Sequence, residues 1–262
     1  MALLLVAGCA TGGNRLAPRR YAQSADSATS GCLRNPACYT QTSDEALIPW
    51  LSRTLDTTRA AVTVMRLLET AEMARAEVIL VECAKNANAQ VNEDEFGPGN
   101  LPTPAQCNEV LRQEKGKDVT RAMELGNKKH KVTLECAQGE LGKLFPVNFT
   151  LQPIYKLDRA TGRWRMLDPK QVARWIQDEL FDLLLGTLAP DVVIHESGNP
   201  NRVQRVYDFK FPCLPDKKTT PEWRRYPKGH PHHPKNQGDM YQQALGGEQK
   251  PALITPQVGV QP

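Results

Sequence analysis

Residues 189–212, APDVVIHESGNPNRVQRVYDFKFP, constrain the fold more than any other stretch of the chain. An apolar run opened by Pro190 and Asp191 leads through a polar turn to a second apolar run carrying Asp208, Phe209 and Lys210. Both runs are rich in β-branched and aromatic residues and read as two strands joined by a turn. Side chains alternate along a strand, so Asp208 and Lys210 project together while Phe209 points to the other face. With Asp191 at the mouth of the neighbouring strand, two carboxylates converge on one point beside an ammonium.

The flanking pattern gives these strands a setting. FPVNFTLQPIYKL (145–157) and GRWRML (162–167) surround a DRATG turn and read as a hairpin. DPKQVARWIQDELFDLLLG follows, with Asp168 as N-cap, Pro169 in the first turn, an apolar stripe of Val172, Ile176, Leu180, Leu183 and Leu184, and Gly186 as the stop. After the two strands come a Pro- and His-rich loop to Pro234, a helix over KNQGDMYQQALG and a strand over KPALITPQ. This order predicts a mixed α/β domain over 143–262. Upstream, residues 46–142 read as a mostly helical region. Within it lies a long helix or helix pair from Thr58 to about Ala87, whose AEVILVEC portion also fits a strand. Polar helical stretches near 105–115 and 118–140 follow, and the knot Lys128, Lys129, His130, Lys131 reads as surface.

Oxygen ligands such as Asp191 and Asp208 suit Mg²⁺, which takes a few carboxylates and keeps several waters; Mn²⁺ is a substitute. Such a metal binds a phosphate oxygen and lowers the pKa of a water aimed at phosphorus. Lys210 beside it would stabilise the charge growing on the phosphate or orient the water. Pro190-Asp191 followed by Asp208-Phe209-Lys210 resembles the signature of the PD-(D/E)xK nucleases. Gln237 and Tyr241, four apart on one helical face, are similar to the Q-x-x-x-Y motif of the RecB-like branch. The resemblance covers about residues 165–260. It implies a restriction-endonuclease-like mixed sheet flanked by helices, with Gln237 and Tyr241 steadying nucleic acid. It also implies an acid on the preceding helix that adds a metal contact: Glu179, with Asp178 and Asp182 as competitors. The family core places a strand between that helix and the Pro-Asp strand, which the 145–167 hairpin would supply from earlier in the chain. The layout resembles restriction-endonuclease-fold toxin modules of bacteria and lipoproteins of myxobacterial type.

Between Arg202 and Lys235 lie nine Lys or Arg against three acids, a local balance that would attract a polyanion. Arg205 and Trp223, with the histidines of the loop, are expected on a nucleic-acid groove, DNA being the first choice. His230, His232 and His233 also give a faint likeness to HNH nucleases or, with His195, a zinc site, although no ligand pair has zinc-finger spacing. MALLLVAGC at 1–9 resembles a bacterial lipoprotein signal with Cys9 acylated, and 10–45 reads as a flexible tether. Six further cysteines, Cys32, Cys38, Cys83, Cys107, Cys136 and Cys213, suit disulfides in an exported chain. Cys32 and Cys38 form the easiest local pair; the connectivity is open. The expectation is a lipid-anchored envelope or secreted Mg²⁺-dependent nuclease, a toxin-type effector with a cognate immunity protein. The alternative is a catalytically silent envelope lipoprotein that binds a partner or confers immunity.

Overall fold

Strand alternation is realised in a five-stranded mixed sheet. The computed structural model describes residues 65–114, 117–214 and 222–262. The signal segment 1–9 with Cys9, the tether 10–45 and the Cys32–Cys38 pair lie outside the described residues. The sheet runs β3 (Phe149–Leu151), β6 (Val192–Glu196), β7 (Asn199–Phe209), β8 (Ala252–Thr255), β9 (Gly259–Gln261), in that spatial order. All neighbours are antiparallel except β7 and β8. A parallel pair needs a crossover, and α5 (Gln237–Leu245) lies on that connection. Its ends are set locally: the Asn236 side chain caps the Asp239 N–H, and Gly246 closes it in the left-handed region.

Each face of the sheet carries its own core. Val192, Ile194, Tyr207, Phe209, Ala252 and Ile254 meet Met73, Ala76, Leu80 and Ala84 of α1 (Thr70–Phe96) and Leu134, Ala137 and Leu141 of α3 (Arg121–Leu144). Val193, Val203 and Val206 face the other way, onto Met240 and Tyr241 of α5 and onto the hairpin of β4 (Tyr155–Asp158) and β5 (Arg163–Met166). The upstream helices therefore share the core of the sheet, and the 142/143 boundary expected from the sequence does not separate two cores. Burying a large aliphatic side chain stabilises by about 1.5–3 kcal/mol, so this shared face holds the helices to the sheet.

Three local expectations change and one open choice is settled. Of the long helix or helix pair expected from Thr58 to about Ala87, residues 58–64 lie outside the described residues; the described part is one helix that begins at Thr70 and runs to Phe96, with Leu68 held outside it. Gln204 clasps the Leu68 backbone, accepting from its N–H at 3.0 Å and donating to its carbonyl at 2.7 Å. AEVILVEC is helical throughout, burying Ala76, Leu80 and Cys83 at helical spacing. The stretch near 105–115 forms only α2 (Pro104–Asn108) before β1 (Val110–Glu114) pairs with β2 (Lys117–Thr120), since a polar segment offers a helix no stripe to bury. The single strand expected over 145–157 breaks at Gln152, whose φ of 44° turns the chain so that β3 joins the main sheet and β4 pairs with β5. β3 thus lies beside β6, supplied from before the helix.

The helix expected from Asp168 to Gly186 also stops early. Asp168 caps α4 (Pro169–Gln177) as its sequence indicates. Glu179 then takes φ 55°, and a 3-10 turn over Phe181–Leu184 buries Leu184 while leaving Leu180 and Leu183 exposed. Among the described residues two disulfides brace the fold: Cys83–Cys136 joins α1 to α3, and Cys107–Cys213 joins α2 to the segment after β7. Such bridges persist in oxidising, non-cytoplasmic surroundings. No helix among the described residues is long and apolar enough to cross a membrane.

Candidate active site

Register brings the two expected acids together. Val192 pairs with Tyr207, so one step further along the antiparallel ladder sets Asp191 opposite Asp208. Both side chains are fully buried, at 0% exposure. Asp191 Oδ2 accepts from the Phe209 N–H at 2.8 Å, which pins this carboxyl to the end of β7. The pairing register sets the two carboxyl groups on adjacent strands of the same row. Burial first, and then the facing Asp208 carboxyl, push Asp191 well above the usual carboxylate range; Lys210 and the Phe209 N–H pull less strongly the other way. Asp191 Oδ1 and Asp208 Oδ1 are buried and meet no donor.

Lys210 completes the cluster. Its backbone N–H bonds to the Ile254 carbonyl, which keeps the chain extended past Phe209 and leaves Lys210 on the Asp208 face. The ammonium pairs with Asp208 Oδ2 and lies 3.4 Å from Gln237 Oε1. At 16% side-chain exposure it is the member of the cluster that reaches toward solvent. Gln237 and Tyr241 are both fully buried on α5, one turn apart. Gln237 therefore joins the cluster, and Tyr241 stands behind it in the core. Trp223 packs edge-on to Tyr241, with centroids 5.8 Å apart, and lies so close to Gly238 that a Cβ there would come within 2.7 Å of the indole. This tryptophan, expected on a nucleic-acid groove, is half-buried and packs one side against α5.

Two further expectations are corrected. Glu179 falls beyond the end of α4, exposed, and its side chain makes no hydrogen bond or ion pair among the described residues; the break at φ 55° removes it from the helical face that would have aimed it. Arg205 shares the face of Tyr207, opposite Asp208. It is consumed there by an ion pair to Glu77, by bonds to the Lys250 carbonyl and Gln249, and by the Tyr207 ring 5.3 Å beneath it. Of the basic 202–235 segment, Arg202 pairs with Glu196, whereas Arg224, Arg225 and Lys228 are exposed.

Of the loop histidines His230 is buried, His232 half-buried and His233 exposed. His230 stacks on Tyr226 at 4.3 Å, His232 bonds the Gly186 carbonyl, and His233 bonds the Tyr226 carbonyl. His195 is held by Thr150 and the Glu196 carbonyl. Among the described residues no group of three or more His, Cys, Asp or Glu side chains is placed to hold a metal. The donor set available to a cation is thus the facing Asp191–Asp208 pair, and its oxygens, free of donors and set on adjacent strands, suit an oxygen-seeking ion that keeps several waters.

Three residues near the site escaped the sequence reading. His130, expected on the surface, lies against Asp191, with Nδ1 3.5 Å from Oδ2, and edge-on to Phe211. Burial, with the Lys210 charge adding to it, lowers this imidazole to about 3, so it stays neutral. Lys129 beside it is also buried. The signal was present: Leu125 and Lys129 are four apart, as are His130 and Leu134, so both residues fall on the apolar face of α3. The third is Gln152, which follows β3 and donates its backbone N–H to the Asp191 carbonyl at 2.8 Å. Compared with protein-family models, curated proteins and solved structures, the chain matches none.

Proposed function

We propose that this chain is a divalent-metal-dependent nuclease, with DNA as its first substrate and Mg²⁺ or Mn²⁺ as its ion. The observation that carries this reading is the Asp191–Asp208 pair. Two fully buried acids face each other with one donor-free oxygen each, and a lysine ammonium sits on the second. Burying two acids in an apolar sheet costs several kcal/mol per charge; Lys210 offsets the Asp208 charge, and a divalent ion would offset that of Asp191 when it ionises. Asp191 and Asp208 would hold the ion, which when bound supplies Lewis acidity toward a phosphate oxygen and its water. The Phe209 N–H fixes the Asp191 carboxyl, and Gln237 restrains the Lys210 ammonium. Lys210, reaching toward solvent, meets the charge that builds on the phosphate as the bond breaks. Exposed Arg224, Arg225 and Lys228 offer phosphate contacts, so activity falls as salt rises.

Export fits the two disulfides, and an acylated Cys9 would make the chain a lipid-anchored envelope protein or a toxin-type effector paired with an immunity protein. A second reading, a catalytically silent envelope lipoprotein that binds a partner, is favoured by the complete burial of both carboxylates. Full-length chain incubated with plasmid DNA and Mg²⁺ separates the two. Cleavage abolished by EDTA and by Asp208→Ala is the expected result, and a wild type inert with both Mg²⁺ and Mn²⁺ rejects the nuclease.

A further inference from the structure

Gln152 carries three costs at once. It is 2% exposed, its amide Oε1 and Nε2 both lack a hydrogen-bond partner, and its φ of 44° lies where side-chain-bearing residues are seldom found. A leucine or methionine would fill the same space without stranding two polar atoms. The position of the residue supplies a reason for the amide. Leu151 pairs with Val192 and Val192 with Tyr207, so the next row across the three strands reads Gln152, Asp191, Asp208. The Gln152 N–H bonds to the Asp191 carbonyl, which fixes the two residues side by side. That row contains four buried donor-free or partner-free atoms: both amide atoms of Gln152, Asp191 Oδ1 and Asp208 Oδ1. Orphaned groups of this kind, gathered in one row, match an absent polar occupant rather than four separate packing faults.

We infer that Gln152 supplies, through Oε1, the third protein oxygen to the cation held by Asp191 and Asp208, and with Nε2 donates to a water or phosphate oxygen on that ion. This rests on the metal-site reading above. A neutral amide suits the place: Mg²⁺ and Mn²⁺ accept carbonyl oxygens as well as carboxylates, and the amide adds no third negative charge to a row where two acids already repel. It also takes the part that the sequence assigned to Glu179, which lies exposed beyond α4.

The test uses the full-length chain and Mn²⁺ titrated by calorimetry, alongside urea unfolding without metal. Gln152→Met keeps the volume and removes both polar atoms; Gln152→Glu keeps an oxygen at the same place. Expected are one Mn²⁺ per wild-type chain, at least tenfold weaker binding in Gln152→Met, and binding at least as tight as wild type in Gln152→Glu. Without metal, Gln152→Met is expected to unfold at the same or higher urea concentration than wild type. Equal Mn²⁺ affinity in wild type and Gln152→Met overturns the role of Gln152 and leaves the Asp191–Asp208 site standing. Lower urea resistance of Gln152→Met without metal also overturns it, because the amide would then be serving the fold alone. A wild type that binds no Mn²⁺ overturns the site and this inference together.

Discussion

Lys129 is a buried lysine whose replacement by an apolar side chain is expected to strengthen the fold. Its side chain sits on the apolar face of α3 at 1% exposure, and burial lowers its ammonium from the ordinary 10.5 to about 8. The unfolded chain, with its lysine titrating near 10.5, holds that proton more tightly than the folded one. The penalty is therefore complete below pH 8 and fades as pH rises from 8 to 10.5. A difference of 2.5 pH units at about 1.36 kcal/mol each amounts to about 3 kcal/mol at pH 7. At pH 10, where most of the proton has already left the folded state, about 1 kcal/mol remains. Lys129→Met, matched in length and apolar, is expected to raise stability by about 3 kcal/mol at pH 7, a gain of roughly 1 M in the urea midpoint. Lys128→Met is the control: that side chain is nearly half exposed and pairs with Glu95 on the surface, so it shifts stability by less than about 1 kcal/mol. Urea unfolding of the three proteins at pH 7 and pH 10 decides the matter. A gain that does not shrink at pH 10, or a Lys129→Met variant weaker than wild type, would show that the ammonium has an undetected stabilising role.

Other perturbations test the packing and the division of roles around the site. Gly238→Ala, whose Cβ would stand 2.7 Å from the Trp223 ring, is expected to lose about 1–3 kcal/mol and to shift tryptophan fluorescence; unchanged unfolding and emission would remove Trp223 from that contact. Replacing Cys83 and Cys136 by serine frees a loop of 53 residues and is expected to cost about 4 kcal/mol in urea unfolding, with a cost under 1 kcal/mol as the contrary result. Arg205→Ala breaks the pair with Glu77 on the face away from Asp208, so stability falls while DNA cleavage by the folded fraction is retained; loss of cleavage at full folding would return Arg205 to the substrate.

Residues 189–212 disclosed the centre of the fold because alternation is local. Val192 and Val206 announce strands within five residues of themselves, and the Asp208–Lys210 spacing puts both side chains on one face. The Asp168 cap was equally legible, because it acts within one turn of its own position. What stayed hidden depended on distant partners. Nothing near Leu68 reveals that Gln204, far along the chain, holds it out of the helix. The stripe through Leu180 and Leu183 fits a helix, and only the left-handed turn at Glu179 shows that tertiary packing claimed Leu184 instead. Arg205 looked like a phosphate ligand because charge runs do not reveal the face on which each cation lies. Gln152 carried no local mark at all, since its place beside Asp191 follows from the pairing of β3 with β6.

A nuclease site here requires that Asp191 and Asp208 share one ion. Mn²⁺ electron paramagnetic resonance on the full-length chain measures this without reference to any substrate, because bound ion loses the free aqueous signal. One bound Mn²⁺ per chain, abolished by either Asp191→Asn or Asp208→Asn and displaced by excess Mg²⁺, is the predicted result. Undiminished free signal in the wild type, or binding that survives both substitutions, would contradict it.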